Sequence, residues 1–212
     1  GTSEPFRAVS VVPQVNGTVV WVSDDFNVGG FFEKGETLFR INDIDYRLEL
    51  QRSKAALAQA EFELERIRSQ ADIAREEWAI MSEGEDSEAP NPLVLYKPQL
   101  SNAEAALESA KAAVELARLN LKRTSIDAPF DCRIRSKSVD LGQYVRAGTQ
   151  LAAVSSTDYA EAVVLLKQDE LGWLDIPGYS GGASGSRATV TSRINGGDVT
   201  WKGRVVRMSG EV

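Results

Sequence analysis

The sequence contains no histidine and only one cysteine, Cys132, among its 212 residues. Without histidine, catalysis by a Ser-His-Asp or Cys-His group is excluded, as is any zinc, copper or iron site with histidine ligands. A single cysteine cannot form an internal disulfide, and two methionines are too few for a thioether copper site. Carboxylate catalysis and carboxylate metal sites therefore stay open.

Long apolar runs and an excess of positive charge are also missing. No segment approaches the ~20 consecutive apolar residues of a membrane-spanning helix. The chain has 24 basic and 31 acidic residues, a net charge of −7, whereas a nucleic-acid-binding protein shows a basic face. With 42% hydrophobic and 26% charged residues, the composition is that of an ordinary folded protein. The acidic balance disfavours a nucleic-acid partner, and none is expected.

Two similar strand-and-turn stretches lie far apart in the chain. Residues 27–41, NVGGFFEKGETLFRI, align with residues 140–154, DLGQYVRAGTQLAAV. Upstream, the alternating segment GTVVWV from Gly17 corresponds to CRIRSK from Cys132. Glycine supplies the positive φ that such turns need, and two copies of one unit predict a pseudo-symmetric β-sandwich. The predicted turn glycines are Gly29, Gly35, Gly142 and Gly148.

The sequence between the two copies changes to a helical pattern. Apolar residues recur every seven positions, with a second set three residues later, which is the a/d pattern of a coiled coil. No proline or glycine interrupts residues 44–81, so the first helix should be about 57 Å long. The predicted seam residues are Leu50, Leu57, Leu64, Ile67, Leu100, Leu107, Val114 and Leu121.

The second helix is expected to begin near Pro98, as a proline in the first helical position. Pro92 offers an earlier start, which would leave a kink at Pro98. Residues 82–92 between the helices are acidic and contain glycine and two prolines, a composition typical of a turn. The two helices should therefore form an antiparallel hairpin with its tip at about residues 82–97, either as a plain spacer or as an arm that contacts neighbours.

This arrangement resembles the periplasmic adaptor, or membrane fusion protein, family. The segment APFDCRI, Ala128–Ile134, is similar to the family's Ala-Pro-Phe-Asp-Gly-hydrophobic signature, with Cys132 where glycine is usual. The segment VNGTVV, Val15–Val20, is similar to the matching signature of the first half. The expected fold is α+β: a split lipoyl-like β-sandwich with an inserted antiparallel α-helical coiled-coil hairpin, plus a partial small β-barrel.

The resemblance also implies the domain boundaries. The lipoyl-like domain takes residues 12–42 and 125–155, and the hairpin takes residues 43–124. An incomplete β-barrel takes residues 1–11 and 156–212, with strands from Glu161, Ala188 and Val199 and a short helix at Lys167–Leu174. The membrane-proximal domain of the family is expected to be absent. Cys132 and the tryptophans Trp21, Trp173 and Trp201 are expected to be packing residues.

The function implied by the resemblance is that of a non-catalytic adaptor without cofactors. Such adaptors join an inner-membrane transporter, here of the resistance-nodulation-division type, to an outer-membrane channel in the periplasm of Gram-negative bacteria. They associate with the inner membrane and assemble into a ring, expected to be a hexamer, for the efflux of small molecules. The hairpin tip should contact the channel. The predicted tip contacts are Arg75, Trp78, Glu83, Asp86 and Tyr96.

Two other functions stay open at this point. The Arg-x3-Leu-x6-Ser tip pattern of these pump adaptors is missing, which leaves the choice of outer-membrane partner open. The chain could also serve an ABC-type or type I secretion exporter, although type I adaptors have much longer hairpins. The sandwich repeat also resembles biotinyl and lipoyl carrier domains. The nearest lysines, Lys34 and Lys137, lie outside any Met-Lys-Met-like tripeptide, which disfavours a carrier.

Overall fold

The computed structural model of the protein describes residues 2–81, 91–179, 184–194 and 197–208. The chain divides into two compact units, Ala8–Ser155 and Gly1–Arg7 with Ser156–Val212. In chain order the strands are β1 (Thr2–Pro5), β2 (Ala8–Val11), β3 (Gly17–Val22), β4 (Phe31–Phe32), β5 (Thr37–Ile41), β6 (Ser125–Asp127), β7 (Cys132–Lys137), β8 (Tyr144–Val145), β9 (Ala152–Ser156), β10 (Ala160–Val163), β11 (Arg187–Ile194) and β12 (Gly197–Arg204), and the helices are α1 (Ile44–Met81) and α2 (Lys97–Lys122).

The larger unit contains a β-sandwich of two antiparallel four-stranded sheets, ordered β2-β9-β7-β4 and β6-β5-β3-β8. Each sheet takes strands from both copies of the sequence repeat. Phe32 of the first copy pairs with Cys132 of the second in one sheet, and Gly17 pairs with Val145 in the other. Because the two copies interleave, neither can form a complete sheet alone.

The four repeat glycines lie in equivalent turns with nearly equal backbone angles. Their φ values are 94° for Gly29, 89° for Gly35, 83° for Gly142 and 87° for Gly148, in the left-handed region that side chains with a Cβ avoid. Gly30 is a glycine for a different reason, because a Cβ there would lie 2.0 Å from the carbonyl oxygen of Asp25. The backbone conformation of these turns is thus the same in both copies of the sequence repeat.

Aromatic and branched side chains from both copies fill the space between the sheets. Phe26 is completely buried, with its ring centroid 5.6 Å from that of Phe39 and 6.2 Å from that of Phe32. The side chains of Leu38, Ile134 and Val154 complete the centre of the core. A core shared in this way couples the two copies energetically, since burial of apolar area is the main force that stabilises a sandwich.

Cys132 lies in this core and is completely buried. Burial raises the pKa of its thiol, and the negative charges of Asp131 and Glu36 add to the effect. A raised pKa lowers the fraction of reactive thiolate. Cys132 is therefore a packing residue, as expected from the sequence.

Strand β2 belongs to the sandwich, although residues 1–11 are predicted to belong to the barrel. It pairs with β9 from Ala8 opposite Ser155 to Val11 opposite Ala152, and Val11 is buried in the sandwich core. The sequence of so short a strand does not show whether it belongs to the sandwich or to the barrel. Only its distant partner strand decides to which domain it belongs.

Helices α1 and α2 form the hairpin between β5 and β6. The two ends of the hairpin are joined at its base, because β5 pairs with β6 and the Ile41 N–H donates a 2.8 Å hydrogen bond to the Thr124 carbonyl. Helix α1 is about 57 Å long and α2 about 39 Å. Neither helix, within the residues that the structure describes, is long and apolar enough to cross a membrane.

An asparagine caps the start of α1. The side-chain oxygen of Asn42 accepts a 3.1 Å hydrogen bond from the N–H of Ile44, the first helical residue. We expect Asn42→Ala to lower the free energy of unfolding by about 1 kcal/mol, because this N–H loses its partner. Asn102→Ala, on the exposed surface of α2, should instead raise stability slightly, because alanine has the higher helix propensity. Urea titration followed by circular dichroism measures both changes, and equal effects would contradict the cap.

The smaller unit contains two antiparallel strand pairs, β1 with β10 and β11 with β12. The short helix predicted at Lys167–Leu174 is a 3-10 helix, Gln168–Trp173. Trp173 is 89% exposed, so the expected packing role is wrong for it. Trp21 and Trp201 are also exposed, and Trp21 stacks under the guanidinium of Arg40 at 5.1 Å.

Candidate functional site at the distal end of the hairpin

The hairpin is held together along one seam of apolar side chains. Leu64, Ile67 and Ala103 form a buried cluster, and Val114 is buried nearer the base. The seam positions that are half-buried are Leu50, Leu57, Leu100, Leu107 and Leu121. The seam leaves the opposite faces of both helices free.

Charged side chains on the hairpin pair mostly within their own helix. Arg66 donates to both carboxylate oxygens of Glu63 and this contact lowers the pKa of that carboxyl. Lys111 binds Glu108 in the same i, i+3 spacing. Exposed pairs of this kind contribute little to stability, so apolar packing in the seam holds the hairpin.

Helix α1 extends further from the sandwich than α2. Across the seam, Arg68 and Glu104 approach to 3.8 Å between charged atoms, which sets the relative height of the two helices. Lys97, the first residue of α2, is therefore level with about residue 75 of α1. The last two turns of α1 have no helical partner in α2, and this end of the hairpin is its distal end.

A separate turn, residues 91–96, precedes α2. The side chain of Asn91 accepts a 3.0 Å hydrogen bond from the N–H of Leu93, and the N–H of Lys97 donates to the Pro92 carbonyl at 3.1 Å. Tyr96 then breaks the helical path with a left-handed backbone, φ 56° and ψ 18°. Pro98 follows as the second helical residue, one position later than the first-position proline that the sequence predicts.

The left-handed conformation of Tyr96 is held by its side chain. This conformation costs a residue with a Cβ about 1–2 kcal/mol. The Tyr96 ring packs against the cluster of Leu64, Ile67 and Ala103, and burial of an aromatic ring offsets that cost. The tyrosine thus closes the seam where α2 begins.

The predicted tip contacts lie in different settings. Arg75 is exposed and binds Asp72 of its own helix at 2.6 Å. Trp78 and Tyr96 are half-buried. Glu83 and Asp86 lie outside the described residues, so only three of the five predicted contacts can be placed.

Four exposed apolar side chains at the distal end were not among the predicted contacts: Ile80, Met81, Leu93 and Val94. Met81 lies two heptads after the seam residue Ile67 but is 83% exposed, because α2 does not reach its height. The sequence does contain a signal for this exposure. The heptad pattern of the first helix continues to a height that the second helix, which begins near Pro98, does not reach. An apolar end of this kind is suited to contact another protein.

The distal end carries exposed apolar side chains. Among the described residues, no group of three or more histidine, cysteine, aspartate or glutamate side chains could hold a metal ion. A family model described as RND MFP, barrel-sandwich hybrid domain, matches residues 7–157. The chain belongs to this membrane fusion protein family. The family is one of non-catalytic adaptors, so no catalytic residue is assigned to this membrane fusion protein.

Curated relatives of this membrane fusion protein have names that refer to drug export. Multidrug export protein AcrE of Escherichia coli is 30% identical over 167 residues, which cover 74% of this chain and 40% of the relative. Multidrug resistance protein MexA of Pseudomonas aeruginosa is 30% identical over 161 residues, with 74% and 36% covered. This membrane fusion protein thus spans about 40% of the length of these relatives.

Solved structures support the fold. A putative efflux transporter from Bacteroides eggerthii has a TM-score of 0.63 at 20% identity, over 94% of this chain and 53% of that one. A MacA-MexA chimeric protein that carries the Pseudomonas aeruginosa MexA α-hairpin domain has a TM-score of 0.61 at 20% identity, over 96% and 64%. The predicted α+β fold class of this membrane fusion protein is thereby confirmed.

Proposed function

We propose that this membrane fusion protein is the periplasmic adaptor of a tripartite efflux pump for small molecules. It would join an inner-membrane transporter of the resistance-nodulation-division type to an outer-membrane channel, and associate with the inner membrane of a Gram-negative bacterium. The observation that carries this proposal is the family match over residues 7–157, which includes both halves of the sandwich and the whole hairpin.

Each part of the molecule has a role in this proposal. The hairpin spans distance, and its distal end contacts the channel through exposed apolar side chains. The sandwich packs against the sandwiches of other copies in a ring, for which we propose six copies. The unit built from the two chain ends contacts the transporter, and its exposed Leu165 and Trp173 offer apolar area for this.

The family match also bears on the other exporters. The matching model is the one for resistance-nodulation-division pumps, which favours these over ABC-type and type I systems. The missing Arg-x3-Leu-x6-Ser pattern then indicates that the distal end contacts its channel through other residues. Exposed Leu93 and Val94, in the turn before α2, are the proposed contacts, together with Arg75, Trp78 and Tyr96.

A substitution at the distal end tests the proposal in the full-length protein, expressed with its transporter and channel. We expect the double variant Leu93→Asp and Val94→Asp to reduce recovery of the channel in pull-downs by at least tenfold, because each aspartate places a charge in an apolar contact. Dye efflux should fall in parallel. Recovery of the transporter should not change, since that contact is made elsewhere.

The matched control is Ile44→Asp, which also replaces an exposed apolar residue of the hairpin by a charge, but at its base. An aspartate in the first turn of a helix is favourable, so this variant should fold and should keep both partners and efflux. Unchanged recovery of the channel and unchanged efflux in the Leu93/Val94 variant would contradict the docking role of the distal end.

A further inference from the structure

A cleft lies at the base of the hairpin, where α1 begins and α2 ends next to the sandwich. Its volume is about 610 Å³, within the range of about 300–1,000 Å³ of small-molecule sites. Its lining comes from both helices, from the start of β3 with the residue before it, and from β8. All of these elements belong to the larger unit of the chain. We call this space the basal cleft.

Backbone and side-chain hydrogen bonds hold the walls of the basal cleft in place. The Tyr46 hydroxyl of α1 donates a 2.8 Å hydrogen bond to the carbonyl of Asn16, just before β3. The side-chain oxygen of Asn16 accepts another, also 2.8 Å, from the N–H of Ala147, just after β8. Next to these, the Asn42 N–H donates to the Thr18 carbonyl at 2.8 Å. The cleft is thus pre-formed, as small-molecule sites usually are.

Part of the lining of the basal cleft is apolar or aromatic. Ala117 of the seam is only 4% exposed, and its methyl group takes up less space than the leucines at other seam positions. Leu48 of α1 and Tyr144 of β8 also line the cleft, and both are exposed. An exposed tyrosine ring is a surface on which a flat aromatic ligand can stack.

The charged part of the lining has an excess of negative charge. Asp45, Glu49 and Arg52 line the cleft from one face of α1, at spacings of four and three residues. The charged atoms of Glu49 and Arg52 approach only to 3.8 Å, and both side chains are exposed, so this pair is weak. Within the described parts of the chain, the Asp45 carboxylate has neither an ion pair nor a hydrogen bond.

We propose that the basal cleft binds an organic cation that carries a flat aromatic ring system. Its positive charge lies near the carboxylates of Asp45 and Glu49, and its rings stack on Tyr144. An anion is repelled by the two carboxylates. A cation over the face of an exposed aromatic ring gains about 0.5–1 kcal/mol. This site goes beyond the proposed function, because neither the transporter nor the channel takes part in it.

Fluorescence anisotropy tests the site, with the dye rhodamine 6G titrated by the purified full-length protein. Rhodamine 6G is a cation with a fused, flat ring system and two N–H groups that can donate to carboxylates. Fluorescein has the same ring skeleton but is an anion at neutral pH, so it controls for stacking alone. We expect rhodamine 6G to bind at least tenfold more tightly than fluorescein. Equal affinities, or no binding of rhodamine 6G, would overturn the inference.

Removing the two carboxylates locates the bound cation. The double variant Asp45→Asn and Glu49→Gln should bind rhodamine 6G at least tenfold more weakly. The matched control is Glu61→Gln with Glu65→Gln, two exposed residues that also lie four positions apart on α1 but outside the cleft. It changes the net charge equally and should leave the affinity unchanged. Equal weakening in both variants would mean that the dye binds the acidic surface in general, which contradicts the site.

Replacing the tyrosine tests the stacking contact. Tyr144→Ala should weaken rhodamine 6G binding about threefold or more, because an exposed cation–π contact is lost. Phe31→Ala is its control, since Phe31 is the equivalent exposed aromatic residue of the first repeat copy and does not line the cleft. An equal effect of the two substitutions would contradict stacking in the cleft.

Charge reversal gives a test that does not depend on losing a signal. Glu49→Lys should weaken rhodamine 6G binding and strengthen fluorescein binding, whereas Glu65→Lys should change neither. A fluorescein affinity that responds equally to both substitutions would overturn the inference. The distal Leu93/Val94 variant should bind rhodamine 6G as the unsubstituted protein does, so the basal cleft and the docking role of the distal end are tested independently.

Discussion

Replacing Leu64 by aspartate should lower the free energy of unfolding of the hairpin by at least about 3 kcal/mol. Leu64 is only 4% exposed and packs with Ile67 and Ala103 at the centre of the seam. Loss of a buried leucine side chain costs about 2–5 kcal/mol, and a carboxylate buried without a partner adds a desolvation cost. The helical circular dichroism signal at 222 nm, followed during heating, measures the loss.

The control for Leu64→Asp lies two residues away on the same helix. Phe62→Asp makes the same kind of change at a side chain that is 63% exposed, so the isolated chain should lose less than about 1 kcal/mol, mainly through the lower helix propensity of aspartate. Equal losses for the two variants would show that the seam does not hold the hairpin.

Replacing Phe26 by alanine should destabilise the sandwich by about 3–5 kcal/mol. Phe26 is completely buried between two other rings, those of Phe32 and Phe39, and the Lys137 ammonium lies 5.8 Å from its ring centre. Its removal leaves a cavity that residues from both repeat copies line. Denaturation by urea, followed by tryptophan fluorescence, should show a lower midpoint with an unchanged slope.

Phe31→Ala is the matched control for Phe26→Ala. Phe31 lies one residue before Phe32 but points outward, where the guanidinium of Arg133 stacks 5.3 Å from its ring centre. An exposed cation–π contact is worth about 0.5–1 kcal/mol, so the loss should stay near that value. A loss for Phe31→Ala as large as for Phe26→Ala would contradict the division into inner and outer faces.

The parts of the fold that the sequence predicts well are those with a repeated local cause. A heptad pattern identifies the seam because each turn of helix returns an apolar residue to the same side, as with Leu57 and Leu64. The turn glycines stand out because Gly35 and Gly148 occupy equivalent backbone conformations that other residues avoid. Such features need no knowledge of distant partners.

Features that depend on distant contacts could not be predicted in this way. Strand β2 is assigned by its pairing with β9, and the left-handed Tyr96 depends on a cluster contributed mostly by α1. Exposed Met81 fits the heptad pattern, and its exposure follows only from where α2 begins. The contact role of the hairpin tip therefore stays a prediction, and the exposed apolar side chains near it follow only from the relative heights of the two helices.

The pairing of β5 with β6 at the base of the hairpin has a consequence for how the chain folds. Arg40 lies opposite Ser125, so in an unfolded chain this contact closes a loop of about 80 residues. Each doubling of loop length costs about 0.6 kcal/mol. If the hairpin forms first from its more local contacts, the effective loop shrinks to about 5 residues, and four halvings remove about 2.4 kcal/mol of closure entropy. The helical hairpin then also brings the two halves of the sandwich together during folding. We expect hairpin formation to set the rate at which the sheets assemble.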